Sequence, residues 1–270
     1  MGPVRAAGRR GSWSPVRADW QWKGLVMGEL VTVRAFEGLT GEVLAEARSR
    51  VAAAAEAPGV GTLVEALRVR LAAVAGGVLA QVNAEVDGRR IRVQEAAAGL
   101  GDSLDRVSDA LRGRIRAVTG AWAPRPWPAH RPVAPAGAAG AAVRELRVVR
   151  HKEPSLVWCS PGAAARTMDA MDYDIHLFTD PATETDAVVY RVGPTGYRLA
   201  RTVPAGPAGR RTSPITLSPH GAPRLTEAQA VDRLAGAELP FLFFAHPDSG
   251  RGRVLYRRFD GDLGLIAGRV

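Results

Sequence analysis

The hydrophobic pattern splits the chain into an alternating, strand-rich region, a helical region and a short mixed unit that occurs twice. Leu30 to Phe36 alternates and is rich in β-formers. Thr40 to Glu56 places Leu44, Ala47 and Val51 at helical spacing, and in the next run Leu67, Val69 and Leu71 face one way while Arg68 and Arg70 face the other. Asp87-Gly88 then reads as a two-residue hairpin turn of the primed type. Counting outward from it pairs Glu85 with Arg90, Asn83 with Arg92 and Gln81 with Gln94 on one face, and Ala84 with Ile91 and Val82 with Val93 on the other. One register sorts polar from apolar residues, as a half-buried antiparallel sheet requires. Asp102 or Ser103 can cap a helix whose apolar stripe is Leu104, Val107, Leu111, Ile115 and Val118, with Arg106, Arg112, Arg114 and Arg116 outside it. This order predicts an α+β domain over 27–120, β-α-β-β-β-α, with two helices on one face of a four-stranded sheet and an arginine-lined face left open.

The mixed unit runs from Ser160 to Arg191, and moved forward by sixty-six positions it lies without a gap on Thr226 to Arg257. Ala164, Phe178, Pro181, Val188, Tyr190 and Arg191 meet identical residues, and Met168 over Leu234, Ile175 over Phe241 and Leu177 over Phe243 keep their character. Ser160-Pro161 and Thr226 with Gln229 are helix-start signals, and each helix is followed by two apolar runs separated by a turn, a β-hairpin. One helix and two strands cannot enclose a core, so the copies are expected to close on each other as an intramolecular pseudo-dimer. The expected contact residues are Ile175, Leu177, Phe178, Val188, Tyr190, Phe241, Phe243, Phe244, Val254 and Tyr256.

Between these parts, 121–146 is a Pro, Ala and Gly-rich linker, stiffer in its first half. Its Trp122 and Trp127 have two uses open, stacking on RNA bases or packing on the neighbouring domain. The expected organisation is a disordered basic extension (1–26), the N-terminal domain (27–120), the linker (121–146), repeat one (147–202), an inter-repeat loop (203–213) and repeat two (214–270). The extension either touches RNA or reflects a start at Met27.

Composition narrows the function. A formal charge of +9 and a pI near 10.8 suggest a polyanionic partner. Yet 27–120 holds twelve basic and twelve acidic residues, so the excess sits in the extension and linker. Within 27–120 it is the segregation of charge that favours nucleic acid: Glu42, Glu46 and Glu56 lie on the first helix, whereas Arg68, Arg70, Arg90, Arg92, Arg112 and Arg116 belong to the sheet and second helix. Those arginines either grip phosphate or solvate a surface and pair with Glu85 or Asp109. No apolar run approaches ~18 residues, which argues against a membrane span, and a single cysteine, Cys159, fits a reducing cytoplasm.

The second copy, with Pro240-Phe241-Leu242-Phe243-Phe244 and Tyr256-Arg257-Arg258-Phe259-Asp260-Gly261-Asp262-Leu263-Gly264-Leu265-Ile266, resembles the C-terminal domain of long ribosome hibernation-promoting factors. The first copy, with Met168 to Asp174, His176-Leu177-Phe178-Thr179-Asp180 and Ala187-Val188-Val189-Tyr190-Arg191, resembles the extra copy found in some members. The order of elements over 27–120 is similar to that family's N-terminal domain. The resemblance implies a non-catalytic factor that binds the 30S subunit and 70S ribosome, contacts 16S rRNA and ribosomal proteins in the decoding region, and blocks mRNA and tRNA. In members with one C-terminal copy, that domain pairs between two ribosomes to give a 100S disome. Two copies on one chain imply a monomer and silent 70S monosomes, unless the copies exchange between chains.

Other chemistry has little support. Asp172, Asp174 and His176 would share one face of a strand and could hold a divalent ion, as an Asp-x-Asp does in sugar-nucleotide transferases. That enzyme class also needs a glycine-rich strand-to-helix loop, which the chain lacks. No catalytic residue, metal or cofactor is therefore expected, and the rival reading is a non-ribosomal stress protein or sigma-factor modulator.

Overall fold

The computed structural model describes residues 27–56, 63–74, 76–125, 146–193, 196–204, 214–237, 239–258 and 261–269. The basic extension 1–26, most of the linker with Trp127, and the inter-repeat residues 205–213 lie outside them.

The N-terminal domain begins with a 3-10 turn (Met27–Leu30) feeding β1 (Val31–Arg34). Thr40 caps α1 (Gly41–Ala55), its side chain accepting from Val43 N. Then follow β2 (Val64–Val74), β3 (Gly77–Val86), β4 (Arg89–Ala97) and α2 (Leu100–Thr119). The strands lie in the order β1-β2-β3-β4. Every pair counted out from Asp87-Gly88 is present in the β3–β4 ladder. Both turn residues have positive φ, 49° and 69°, as a primed turn demands. Val51, Leu67, Val69, Leu71, Val82, Ile91, Val93, Leu104, Val107, Leu111 and Ile115 are at most 2% exposed, so the helices cover that face of the sheet.

Two expectations are corrected. The sheet is mixed rather than antiparallel, because α1 is a crossover that returns the chain to the same end and lays β1 parallel to β2. Helix α2 starts at Leu100 with Gly99 at its cap position. Ser103 is instead a buried interior residue, its hydroxyl donating to Val78 O (2.7 Å) and Gly99 O (3.0 Å), and Asp102 lies in the first turn.

Beyond the linker come β5 (Val148–Lys152), α3 (Pro161–Ala170), β6 (Ile175–Asp180), β7 (Thr185–Val192) and β8 (Gly196–Arg201). Next are β9 (Ile215–Leu217), α4 (Glu227–Gly236), β10 (Phe241–Ala245), β11 (Gly252–Arg257) and β12 (Leu263–Ala267). Ser160 caps α3 and Pro161 opens it, while Thr226 and Gln229 complete a capping box on α4. Each half thus has the expected helix and hairpin, and a third strand besides.

The fourth strand of each sheet is exchanged. The sheets run β6-β7-β8-β9 and β10-β11-β12-β5, so β9, which precedes α4, pairs in parallel with β8, and β5, which precedes α3, pairs in parallel with β12. Helix α3 covers one sheet over Ala164, Ala165, Met168, Phe178 and Val189. Helix α4 covers the other over Ala230, Leu234, Phe244, Leu255 and Leu265. The uncovered faces meet: Leu177, Val188 and Val254 are buried there with Ile175, Tyr190, Phe241, Phe243 and Ile266 around them.

Three residues expected in that contact lie elsewhere. Phe178 and Phe244 follow Leu177 and Phe243 directly, so strand alternation turns them to the helix side, where both are fully buried. Tyr256 lies over Gly264, where an added Cβ would come within 2.4 Å of its ring, and beneath the Lys152 ammonium, 5.2 Å from the ring centroid.

Candidate nucleic-acid interface

Strand alternation that sends Leu67, Val69 and Leu71 to the helices sends Arg68 and Arg70 to the opposite, uncovered face. The register aligns Thr32, Arg68, Asn83 and Arg92 in one row across the four strands, and Arg34, Arg70, Gln81 and Gln94 in the next. Neighbouring strands are ~4.8 Å apart and same-face residues ~7 Å apart along a strand, so the guanidinium and amide groups form a lattice of donors. Arg90, opposite Glu85, extends it towards the hairpin turn. Arg34 belongs to this face although the sequence reading passed over it; its signal was the alternation of Val31 and Val33 with Thr32 and Arg34.

The six arginines do not form one surface. Arg112 and Arg116 lie on α2, whose apolar stripe faces the other side of the sheet. Arg112 is ion-paired with Asp109 one turn back, and Arg116 Nε donates to Arg112 O (3.3 Å). Arg92 differs again: its guanidinium lies over the Tyr173 ring, 4.6 Å from the centroid, and donates to Asp172 O (3.4 Å). At the β4 edge of the face, the first C-terminal half therefore abuts the lattice.

That junction is a polar joint. Asp172, in a left-handed turn (φ 54°) after α3, places its carboxylate between Arg114 (3.3 Å) and Arg125. Arg114, which lies outside the apolar stripe of α2, is nonetheless only 9% exposed. Burial, then the nearby Arg125 charge, lowers its pKa to about 10, which leaves it cationic at neutral pH. One turn earlier Asp169 accepts from Arg191 (3.1 Å), the Tyr197 hydroxyl (2.5 Å) and Trp122 Nε1 (3.1 Å). The Tyr197 oxygen in turn accepts from Arg125 N (2.9 Å). Burial and the hydrogen bond to Asp169 push the Tyr197 hydroxyl well above the usual phenol range, so it stays a donor. Trp122, with two uses open in the sequence, is packed against the first half's core with its ring centroid 6.0 Å from that of Tyr197.

The trio weighed as a metal site is dispersed by the same geometry. Asp172 precedes β6 rather than lying in it, and its carboxylate is held by guanidinium groups. Asp174 acts electrostatically on the buried Arg191. His176 is stacked between Tyr173 (5.9 Å) and Phe178 (6.3 Å), and burial lowers its pKa to about 4, so it is neutral at physiological pH.

The comparison with known proteins places the chain in a family. Residues 144–199, from just before β5 into β8, match the family described as Sigma 54 modulation/S30EA ribosomal protein C terminus, and the chain belongs to the ribosome hibernation-promoting factor family. In particular it is similar to the dormancy associated translation inhibitor of Mycobacterium tuberculosis, in strains CDC 1551 / Oshkosh and ATCC 25618 / H37Rv alike. Each match is 43% identical over 206 residues, covering 71% of this chain and 71% of the relative. Among the described residues no helix is long and apolar enough to cross a membrane.

Proposed function

We propose that the chain is a ribosome hibernation factor whose N-terminal domain binds the 30S decoding region and mRNA channel and excludes mRNA and tRNA. The observation that carries this reading is the uncovered sheet face, where Arg34, Arg68, Arg70 and Arg90 alternate with the amides of Gln81, Asn83 and Gln94. Guanidinium groups donate in pairs to phosphate oxygens, and amides reach 2′-hydroxyls and base edges, so the face suits folded RNA. The name of the tuberculosis relatives, a translation inhibitor, supports the same reading. Arg112 and Arg116 would make separate contacts from the other side of the domain.

The paired C-terminal sheets would then keep the ribosome a 70S monosome. Each half already has its partner on its own chain, tethered at an effective concentration in the ~mM range, so the inner face of each half is occupied without a second ribosome. Sedimentation with purified 30S subunits tests the first part. Arg68→Ala with Arg70→Ala should weaken binding and flatten its dependence on salt by about two phosphate contacts. Recovery with RNA polymerase and not with ribosomes would instead favour the sigma-factor reading. Sucrose gradients test the second part, and a 100S peak requiring this protein would overturn it.

A further inference from the structure

Two residues related by the sixty-six-residue offset, Asp186 on β7 and Gly252 on β11, touch each other across the contact between the halves. Gly252 N donates to Asp186 Oδ2 at 2.8 Å, and a Cβ on Gly252 would lie 2.8 Å from Asp186 Cβ and 3.0 Å from the Phe243 ring. The preceding pair is also related by the offset: Arg251, the counterpart of Thr185, donates through Nε to Asp186 Oδ2 (2.7 Å) and through Nη2 to Oδ1 (3.3 Å). Val188 and Val254, another offset pair, are both fully buried alongside. Equivalent residues that meet in this way mark a local two-fold axis, and on that axis the chain is asymmetric. One side carries a buried carboxylate, and the other a guanidinium and a residue without a side chain.

The asymmetry determines which faces can pair. First half against first half would bring two Asp186 carboxylates together beside two threonines, with no guanidinium to neutralise them and no glycine to make room. Second half against second half would face Arg251 with Arg251 over a void between two glycines. Like charges at the centre of a buried contact cost several kcal/mol, and a hole forfeits packing as well. Only unlike halves supply the carboxylate, the guanidinium, the free N–H and the space together.

We propose that Thr185-Asp186 and Arg251-Gly252 form a heterotypic lock, so that the inner face of each C-terminal half accepts the unlike half and rejects a copy of itself. The lock deepens the monosome reading, on which its biological use rests, because it bars homotypic bridging between two ribosome-bound copies and leaves only exchange of unlike halves, against which the tether competes.

The test uses the full chain and no ribosome. Arg251→Thr with Gly252→Asp recreates the first-against-first axis. Arg251→Thr with Gly252→Asn introduces a side chain of the same shape without the second charge. Thermal unfolding should place the Asp variant lower than the Asn variant by about 10 °C. Thr185→Arg with Asp186→Gly, the second-against-second axis, should also melt well below the wild type. If the Asp variant does not fold, adding Asp186→Asn to it restores folding when charge is the cause. Equal midpoints for the Asp and Asn variants, failure of Asp186→Asn to restore folding, or a wild-type midpoint for the arginine variant would each overturn the lock. A 100S peak alone would sink the monosome reading and leave the lock standing.

Discussion

The two C-terminal halves share one framework and differ in what they bury. Phe178 and Phe244, Val188 and Val254, and the bridges Trp158–Thr179 and Arg224–Ala245 all superpose under the same offset. Among the described residues the first half buries Asp169, Asp172, Thr179, Asp180, Asp186 and Arg191, whereas the second buries no polar side chain. Position by position, Asp169 stands opposite Ala235, Tyr197 opposite Leu263 and His176 opposite Leu242. The one shared cation takes different partners: Arg191 binds the Asp169 carboxylate, while Arg257 donates to the carbonyls of Leu239 (3.0 Å) and Leu234 (3.3 Å). The first half spends its polar residues on the joint with the N-terminal domain and on the contact with its twin. Packing builds the framework in both, and charge makes the first half directional.

Four substitutions, or pairs of them, would break or sharpen this contrast. Phe178→Ala and Phe244→Ala should each cost about 3–5 kcal/mol, and nearly the same amount, if the framework is shared; denaturant unfolding of the full chain measures both. Arg191→Leu should cost about 3 kcal/mol because it leaves the Asp169 carboxylate buried, but Arg257→Leu about 1–2 kcal/mol because only carbonyl bonds are lost. Equal losses would refute the claim that charge distinguishes the halves. His176 has a folded pKa of about 4 against 6.5 when free, so the unfolded chain takes up its proton first and stability should fall as pH drops from about 6.5 towards 4. His176→Leu, which copies the second half, should flatten the melting temperature across that window. Trp122→Phe should cost about 1 kcal/mol by removing the indole bond to Asp169 while keeping the ring, and the same change should uncouple the unfolding of the N-terminal domain from that of the first half.

What could be read from the sequence was local. Asp87-Gly88 determined a full hairpin register because turn geometry and face alternation allow one answer, and Ser160, Thr226 and Gln229 marked helix starts because caps act within one turn. Strand exchange was not legible: β5 and β9 are short, and their partners are determined by the closing of two halves rather than by their neighbours in the chain. The pairing of Arg114 with Asp172 was hidden for the same reason. An arginine off the apolar stripe of α2 looks solvated until another domain covers it, and alternating acids look like ligands until guanidinium groups from two other segments take one of them. The open arginine face was half legible, since alternation revealed its β2 and β4 members but not that α2 would carry Arg112 and Arg116 away from it.

Because among the described residues β5 pairs with β12 alone, the strand that opens the C-terminal region stays unpaired until the ribosome has made about 110 further residues. At roughly 5–20 residues per second that is an interval of roughly 5 to 20 seconds, during which α3, its first three strands and then β9 are made and can assemble without β5. The nascent chain can therefore settle its N-terminal domain long before its rear half closes, and a message cut short ahead of β12 yields a product with an open seam.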